Sequence, residues 1–264
     1  LNLNNKVVLV TGSTSGIGQS IALHFLREGA VVGINGRKMT TVKAAMSKLQ
    51  AESDSFKMFA AVGDISTREG SAAVIAAVSK IGELDVLVNN AGIFEVKAFE
   101  DITDDDWQHY FDVNVMSSVR LCRHYLPKML KRNSGRVIIV ASEAGVKPLP
   151  QMIHYSVTKT ALIGFARGLA ELTKNTKVTC NSVLAGPTWT GGIIKYFDNL
   201  SEKEGKAVEK LVEEYFVKFE PNSLIQRFIQ PAEIANTILY LSSDLAAAIN
   251  GSSQRCSGGI IRHI

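Results

Sequence analysis

Residues 6–18, KVVLVTGSTSGIG, run from a short apolar stretch rich in valine into a glycine-rich loop. The segment that follows, QSIALHFLREGA, carries Ile21, Ala22, Phe25 and Leu26 at helical spacing and closes at Gly29. A buried strand, a glycine loop and a helix in that order present the first N–H groups of the helix to an anion, and glycine lets the backbone come close. The spacing is G-x-x-x-G-x-G, not the G-x-G-x-x-G of the commonest dinucleotide fingerprint. A turn that serves only chain geometry would look the same, so the rest of the chain has to decide.

Working outward, VVGIN at 31–35 reads as the second strand. In a dinucleotide fold its end faces the adenosine ribose, where a carboxylate grips a 2′-hydroxyl and an arginine accepts a 2′-phosphate. Here the stretch is Asn35-Gly36-Arg37-Lys38, without a carboxylate from Val31 to Thr41. Arg37 offers a fork of donors, and Ser13 in the glycine loop offers a hydroxyl to the same phosphate. This favours NADP, with NAD the second choice.

Further strands read at KMFAAVGD (57–64), DVLVNNAG (85–92), RVIIVAS (136–142) and KVTCNSV (177–183). Helical patterns lie between them at 40–51, 67–80, 104–130 and from Tyr155 to about 173, the long one expected to break near Pro127. Alternating strands and helices give an α/β fold: a Rossmann-type doubly wound parallel sheet of about seven strands with helices on both faces. Ligands bind such sheets at the carboxyl ends of the strands. Gly12–Gly18, Asn35–Arg37, Asp64-Ile65, Asn89–Gly92, Ser142 and the 184–192 loop all fall at those ends. Asp64 and Ile65 are expected to flank an adenine.

One stretch carries candidate acid–base chemistry. In SEAGVKPLPQMIHYSVTK (142–159), Tyr155 and Lys159 stand four apart on a helix and share a face. A close ammonium favours phenolate, so the Tyr155 phenol is expected to titrate below its ordinary value. Such a phenol exchanges a proton with an alcohol or carbonyl oxygen, and Ser142 hydrogen-bonds the same oxygen.

Composition excludes several classes. The 264 residues are 46% hydrophobic and 20% charged, with a net charge of +4 and no dense basic run, which argues against nucleic acid. Cys122, Cys180 and Cys256 are far apart and the five histidines lack ligand spacing, so neither a disulfide framework nor a metal is expected. No 18-residue apolar run exists, the first strand starts about five residues in, and the expectation is a cytoplasmic protein without a membrane anchor.

Taken together, TGSTSGIG (11–18), NNAG (89–92), Asn114, Ser142, Tyr155, Lys159 and NSVLAGPTWT (181–190) resemble the short-chain dehydrogenase/reductase family over nearly the whole chain. The resemblance implies hydride transfer between a nicotinamide cofactor and a carbonyl or secondary alcohol. It makes Asn114, Ser142, Tyr155 and Lys159 the catalytic tetrad. Tyr155 is then the acid/base, Lys159 lowers its pKa and holds the nicotinamide ribose, Ser142 fixes the substrate oxygen and Asn114 supports a relay water. The implied cofactor contacts are Gly12, Ser13, Ser15, Gly16, Ile17, Gly18, Arg37, Asp64, Ile65, Asn90, Ala91, Gly92, Tyr155, Lys159, Gly186, Pro187, Thr188 and Thr190, with Trp189 facing substrate. Ala185 replaces the family's usual proline, which suggests a looser turn. CSGG at 256–259 lacks an aspartate often found there.

The chain then reads as one NAD(P)-binding domain over 1–264, with a substrate-lid insertion at about 187–220. Val208, Leu211, Val212, Tyr215, Phe216 and Phe219 form an apolar helical stripe in it, and Gly191-Gly192 permit hinge motion. Trp189, Ile193, Ile194, Tyr196 and Phe197 suggest an apolar wall and a fairly apolar small-molecule substrate. A 3-oxoacyl thioester reductase and a non-catalytic NAD(P)-binding protein are the alternatives. Relatives imply a homo-oligomer, tetramer or dimer.

Overall fold

The computed structural model describes residues 1–263. Seven strands form one parallel sheet: β1 (Val7–Val10), β2 (Val31–Gly36), β3 (Lys57–Val62), β4 (Val86–Asn89), β5 (Arg136–Ser142), β6 (Thr179–Ala185) and β7 (Ser253–Cys256). Their order is β3-β2-β1-β4-β5-β6-β7, and every pairing is parallel. The central strands are apolar at successive positions because both faces of the sheet are covered. Val8 and Val10 of β1 face one core while Leu9 faces the other; in β5, Ile138 and Val140 oppose Val137 and Ile139 in the same way.

Two helical layers make those cores. On one face lie α1 (Gly16–Arg27), α2 (Met39–Gln50) and a helix near the C-terminus, Pro231–Ser242, through Phe25, Leu26, Val42, Leu49, Ile234 and Ile238. On the other lie α3 (Arg68–Ser79), α5 (Ser117–Lys131) and α6 (Ile153–Glu171), through Val74, Leu121, Met129, Leu162 and Ala166. The strand order reverses between β1 and β4, and a crevice opens there at the carboxyl ends.

The long helical pattern at 104–130 divides elsewhere than the sequence suggests. A short α4 (Asp104–Tyr110), capped reciprocally by Thr103 and Asp106, passes into a π-helical turn at Phe111–Met116 and then into α5. The break therefore falls at Asn114, and α5 runs straight through Pro127. Pro127 and Arg123, whose carbonyl loses its helical donor, are both exposed, so water can satisfy that carbonyl.

Residues 187–220 form two helices, α7 (Gly191–Glu204) and α8 (Val208–Phe219), rather than one. Gly205 turns the chain between them in the left-handed region, φ 65°. Phe197, Leu211, Phe216 and Phe228 make a third small core, packed against Trp189, Ile193, Val212 and Tyr215. Ile194, Tyr196 and Phe219 remain exposed. The ninth helix, α9 (Pro231–Ser242), and strand β7 complete the sheet's last edge. Ala185 ends β6 in register with Cys256, and Gly186 N donates to the Cys256 carbonyl at 3.0 Å. Ala185, which unlike proline keeps its N–H, stays within the strand.

Among the described residues no helix is long and apolar enough to cross a membrane, and no group of three or more His, Cys, Asp or Glu is placed to hold a metal ion.

Candidate active site

The glycine loop is tied down from three sides. Thr11 Oγ1 accepts from the N–H groups of Asn90 and Ala91 at 2.9 and 3.0 Å. Asn90 Nδ2 donates to the Thr11 carbonyl at 2.9 Å. The buried Asn35 accepts from Gly12 N at 3.1 Å and donates to the Ala61 carbonyl at 2.8 Å, joining the loop to β3. Asn90 is thus a brace through its amide group, and Asn35 is a second brace that the sequence pattern does not announce.

These ties aim the start of α1 into the crevice. No side chain caps that helix at Ser15, so its first N–H groups are free to meet an anion. Gly12 and Gly16 lie at φ 61° and 55°, where side-chain-bearing residues are strained. A Cβ on Gly18 would stand 2.3 Å from the Gly12 carbonyl oxygen and 2.5 Å from Asn90 Nδ2. On Gly16 it would reach Thr190 at 3.6 Å, so the loop after β6 borders the same crevice. This cradle fits a dinucleotide pyrophosphate.

Other expected contacts are placed differently. Ser13 is fully buried; its hydroxyl donates to the Val10 carbonyl at 2.7 Å and accepts from Asn35 N at 2.9 Å. It cannot serve a 2′-phosphate, and that expectation is corrected. Thr14, which the sequence pattern does not single out, lies beside Gly36: a Cβ on Gly36 would come 2.7 Å from Thr14 Cγ2. Arg37 is exposed just past β2. Asp64 accepts from Ser66 N and Oγ at 3.0 and 2.7 Å, shaping the turn into α3, and the Ile65 side chain is buried in the core. Ile17 is half-buried against the core. Pro187 and Trp189 bracket a bridge to Ile229, and Thr188 donates to the Gly186 carbonyl at 2.8 Å. The Trp189 ring packs on Phe197 and Phe228, with centroids 5.7 and 5.2 Å away.

Ser142, at the end of β5, and Tyr155 and Lys159, on α6, come together, with Lys159 against Gly92. Lys159 is buried; its Nζ donates to the Val140 carbonyl at 3.0 Å and lies 5.5 Å from the Tyr155 ring centroid. A Cβ on Gly92 would stand 3.5 Å from Lys159 Nζ and 3.3 Å from Asn114 Oδ1. The Asn114 side chain makes three hydrogen bonds: Oδ1 accepts from Ile93 N at 2.8 Å, and Nδ2 donates to the Ile93 carbonyl at 3.1 Å and to Thr158 Oγ1 at 3.0 Å. It braces the loop after β4 against α6.

Electrostatics corrects one expectation. Burial pushes the Tyr155 phenol above its ordinary value, and Glu143 pushes the same way; Ser142 opposes both. Lys159 does not reverse this. Burial holds its own ammonium down to about 8, against the pull of Glu143. Glu143 is not among the expected site residues, although a lone carboxylate between Ser142 and Ala144-Gly145 is its signal. It is 5% exposed, and its Oε2 accepts from Ser142 Oγ at 2.6 Å. Burial lifts its carboxyl to about 7, with the Ser142 hydroxyl opposing. Phe94, 63% exposed, packs edge-on to Tyr155 with ring centroids 6.2 Å apart and forms an apolar flank.

A family model described as short chain dehydrogenase matches residues 6–200. The chain is 53% identical over its full length to the "Uncharacterized oxidoreductase YvrD" of Bacillus subtilis, covering 99% of that protein. It is 33% identical, over 97% of its length and 98% of the other's, to a D-beta-hydroxybutyrate dehydrogenase of Cupriavidus necator. The crystal structure of an L-sorbose reductase from Gluconobacter frateurii, complexed with NADPH and L-sorbose, superposes with a TM-score of 0.92 at 32% identity, covering 99% of this chain and 98% of that one.

Proposed function

The chain belongs to the short-chain dehydrogenase family of NAD(P)-dependent oxidoreductases, and on that premise we propose that it moves a hydride between NADP(H) and a carbonyl or secondary alcohol of a fairly apolar small molecule. The observation that carries this is the meeting of Ser142, Tyr155 and Lys159, with Lys159 against Gly92, in a chain whose glycine loop leads into an uncapped helix start.

When bound, the nicotinamide supplies or accepts the hydride. The chain does the rest. The first turn of α1, with Gly12, Ser15, Gly16 and Gly18, receives the pyrophosphate, and Thr190 borders it. Arg37 meets a 2′-phosphate beyond β2 with a planar fork of donors. Lys159, fixed by the Val140 carbonyl, has further N–H bonds that would hold a ribose hydroxyl of the cofactor. Tyr155 Oη exchanges the proton with the substrate oxygen, and Ser142 Oγ hydrogen-bonds the same atom. A phenol raised by burial is present in its protonated form, the form that has a proton to give in carbonyl reduction.

The apolar character of the substrate rests on Phe94 beside Tyr155, and on the exposed Ile194, Tyr196 and Phe219 of the insertion, which we read as a lid. The test is a turnover panel of ketones, sugars, acyl thioesters and secondary alcohols with NADPH and NADH. Turnover of apolar ketones with NADPH supports the reading. Activity confined to sugars would overturn the apolar assignment, and cofactor binding without any turnover would overturn catalysis.

A further inference from the structure

Ser142 Oγ lies within hydrogen-bond reach of the buried Glu143 carboxyl. A hydroxyl has one proton to donate and two lone pairs to accept with. With Glu143 ionised, the Ser142 proton goes to Glu143 Oε2, 2.6 Å away, and Ala144 N–H takes one lone pair at 3.1 Å. What remains toward the site is a single lone pair. With that arrangement Ser142 can accept from the O–H of an alcohol or of Tyr155, but it cannot donate to a ketone oxygen.

We propose that Glu143 decides where the Ser142 proton points and is therefore a positioning residue for proton transfer at the substrate oxygen, an inference that rests on the oxidoreductase reading above. As a carboxylate, Glu143 is an acceptor only and holds the proton away from the substrate. As a carboxylic acid it can donate its own O–H to Ser142 Oγ. The Ser142 proton then turns toward the substrate and can bond a carbonyl oxygen. The protonation state of one buried side chain thus decides whether Ser142 can donate to the substrate oxygen: the acid form frees that donor for ketone reduction, and the carboxylate form withholds it.

The surroundings leave Glu143 able to occupy either state. From α6 it faces Tyr155 and Lys159, and Lys159 is itself drawn up by the Glu143 charge. From the loop after the Glu143–Gly145 turn it faces Lys147, and from α8 and its end it faces Tyr215 and the buried Glu220. Lys147, however, pairs with Glu220 at 2.5 Å, so that cation is shared with a second carboxylate. The hydrogen-bond partner of Glu143 is thus a neutral hydroxyl, and burial lifts its titration to about 7, inside the working range of an enzyme.

The test uses the full-length protein and two variants. Glu143→Gln places an amide donor against Ser142 Oγ at every pH, imitating the acid. With NADPH and the best ketone of the panel, wild-type reductive kcat/KM is expected to fall about tenfold from about pH 6 to 8, as expected when an essential acid loses its proton. The Glu143→Gln profile is expected to stay flat across that interval, with NADPH affinity unchanged as the control for folding. Identical profiles in the two proteins would overturn the proposal. A turnover-independent arm follows glutamate carboxyl carbons by NMR. The resonance missing from Glu143→Gln should titrate near 7 and move upward in Ser142→Ala, which removes a hydrogen bond to the ionised form. A resonance in the ordinary carboxylate range, or one unmoved by Ser142→Ala, would also overturn it. Absence of turnover with this coupling intact would remove the oxidoreductase reading and the positioning role together, whereas turnover with a flat wild-type profile would remove the positioning role alone.

Discussion

Lys159 Nζ lies 5.5 Å from the centre of the Tyr155 ring and is held there by the Val140 carbonyl, 3.0 Å away. The ammonium is thereby fixed near the phenol by the main chain of β5, independently of Tyr155 itself. Replacing the phenol should leave that part of the site standing.

The expected result for Tyr155→Phe is therefore NADPH affinity close to wild type and a loss of turnover of roughly 10²–10⁴-fold, the usual worth of general acid–base catalysis. Fluorescence titration of the cofactor and steady-state kinetics check both halves. A variant within about threefold of wild-type kcat would remove Tyr155 from the acid role.

Arg37→Ala should lower NADPH affinity about 10- to 150-fold with little change for NADH, since a hydrogen bond to a charged group contributes roughly 1.5–3 kcal/mol. Gly36→Asp should favour NADH, but its Cβ meets Thr14 Cγ2 at 2.7 Å and Val42 Cγ2 at 3.1 Å. The reversal is expected to be complete only with Thr14→Ser, which removes the crowding methyl. Isothermal titration of both cofactors into wild type and these three variants decides this. An unchanged ratio in Arg37→Ala would make Arg37 a solvated residue at the start of α2.

Gly18→Ala places a methyl 2.3 Å from the Gly12 carbonyl oxygen, a main-chain atom that cannot swing aside. Overpacking of this kind typically costs roughly 1–3 kcal/mol, and here it also displaces the loop that receives phosphate. A lower Tm together with lost binding of both cofactors is expected. Normal NADPH and NADH affinity in this variant would show that the cradle is not where the pyrophosphate sits.

Glu143 also leaves a mark on stability. Its folded pKa of about 7 lies above the ordinary 4.5, so the native state binds the extra proton between those values. Native stability is then reduced as pH rises through that window. Glu143→Gln has no such titration. Its stability relative to wild type should rise between about pH 4.5 and 7 by on the order of 3 kcal/mol. Urea unfolding at the two pH values measures it, and a constant difference would mean that Glu143 ionises normally.

Much of this was legible in the chain. Strands such as VVLV and RVIIVAS are apolar without interruption because two cores cover them, and that pattern survives in one dimension. The positions of Gly12, Gly16, Ser142, Tyr155 and Lys159 followed from spacing and resemblance. What was not legible depends on through-space neighbours. Ser13 looks like a free loop hydroxyl until Val10 and Asn35 are folded against it. The phenol's direction of shift turns on how deeply Tyr155 and Glu143 are buried, which the i, i+4 spacing of Tyr155 and Lys159 does not encode. Strand β7, SQRC, has half its residues exposed and no apolar run to announce it.

We also expect a homo-oligomer. The small-residue positions Gly164 and Gly168 on α6 have open space where a Cβ would be, which suits close approach of a second copy's helix. Light scattering at micromolar protein should give a multiple of the chain mass. A monomeric mass would overturn this.

The ion pair between Lys147 and Glu220 joins positions 73 apart in sequence, the loop after β5 and the end of α8. At the other end of the same insertion, Trp189 N donates to the Ile229 carbonyl and Ile229 N to the Pro187 carbonyl, both at 2.8 Å. The insertion is therefore moored at both roots, and the left-handed turn at Gly205 is its far tip. Its natural movement is that of a flap whose tip rises and settles while its roots stay in place. Swinging it aside like a door would require Lys147 to release Glu220, uncovering a carboxylate that is only 4% exposed.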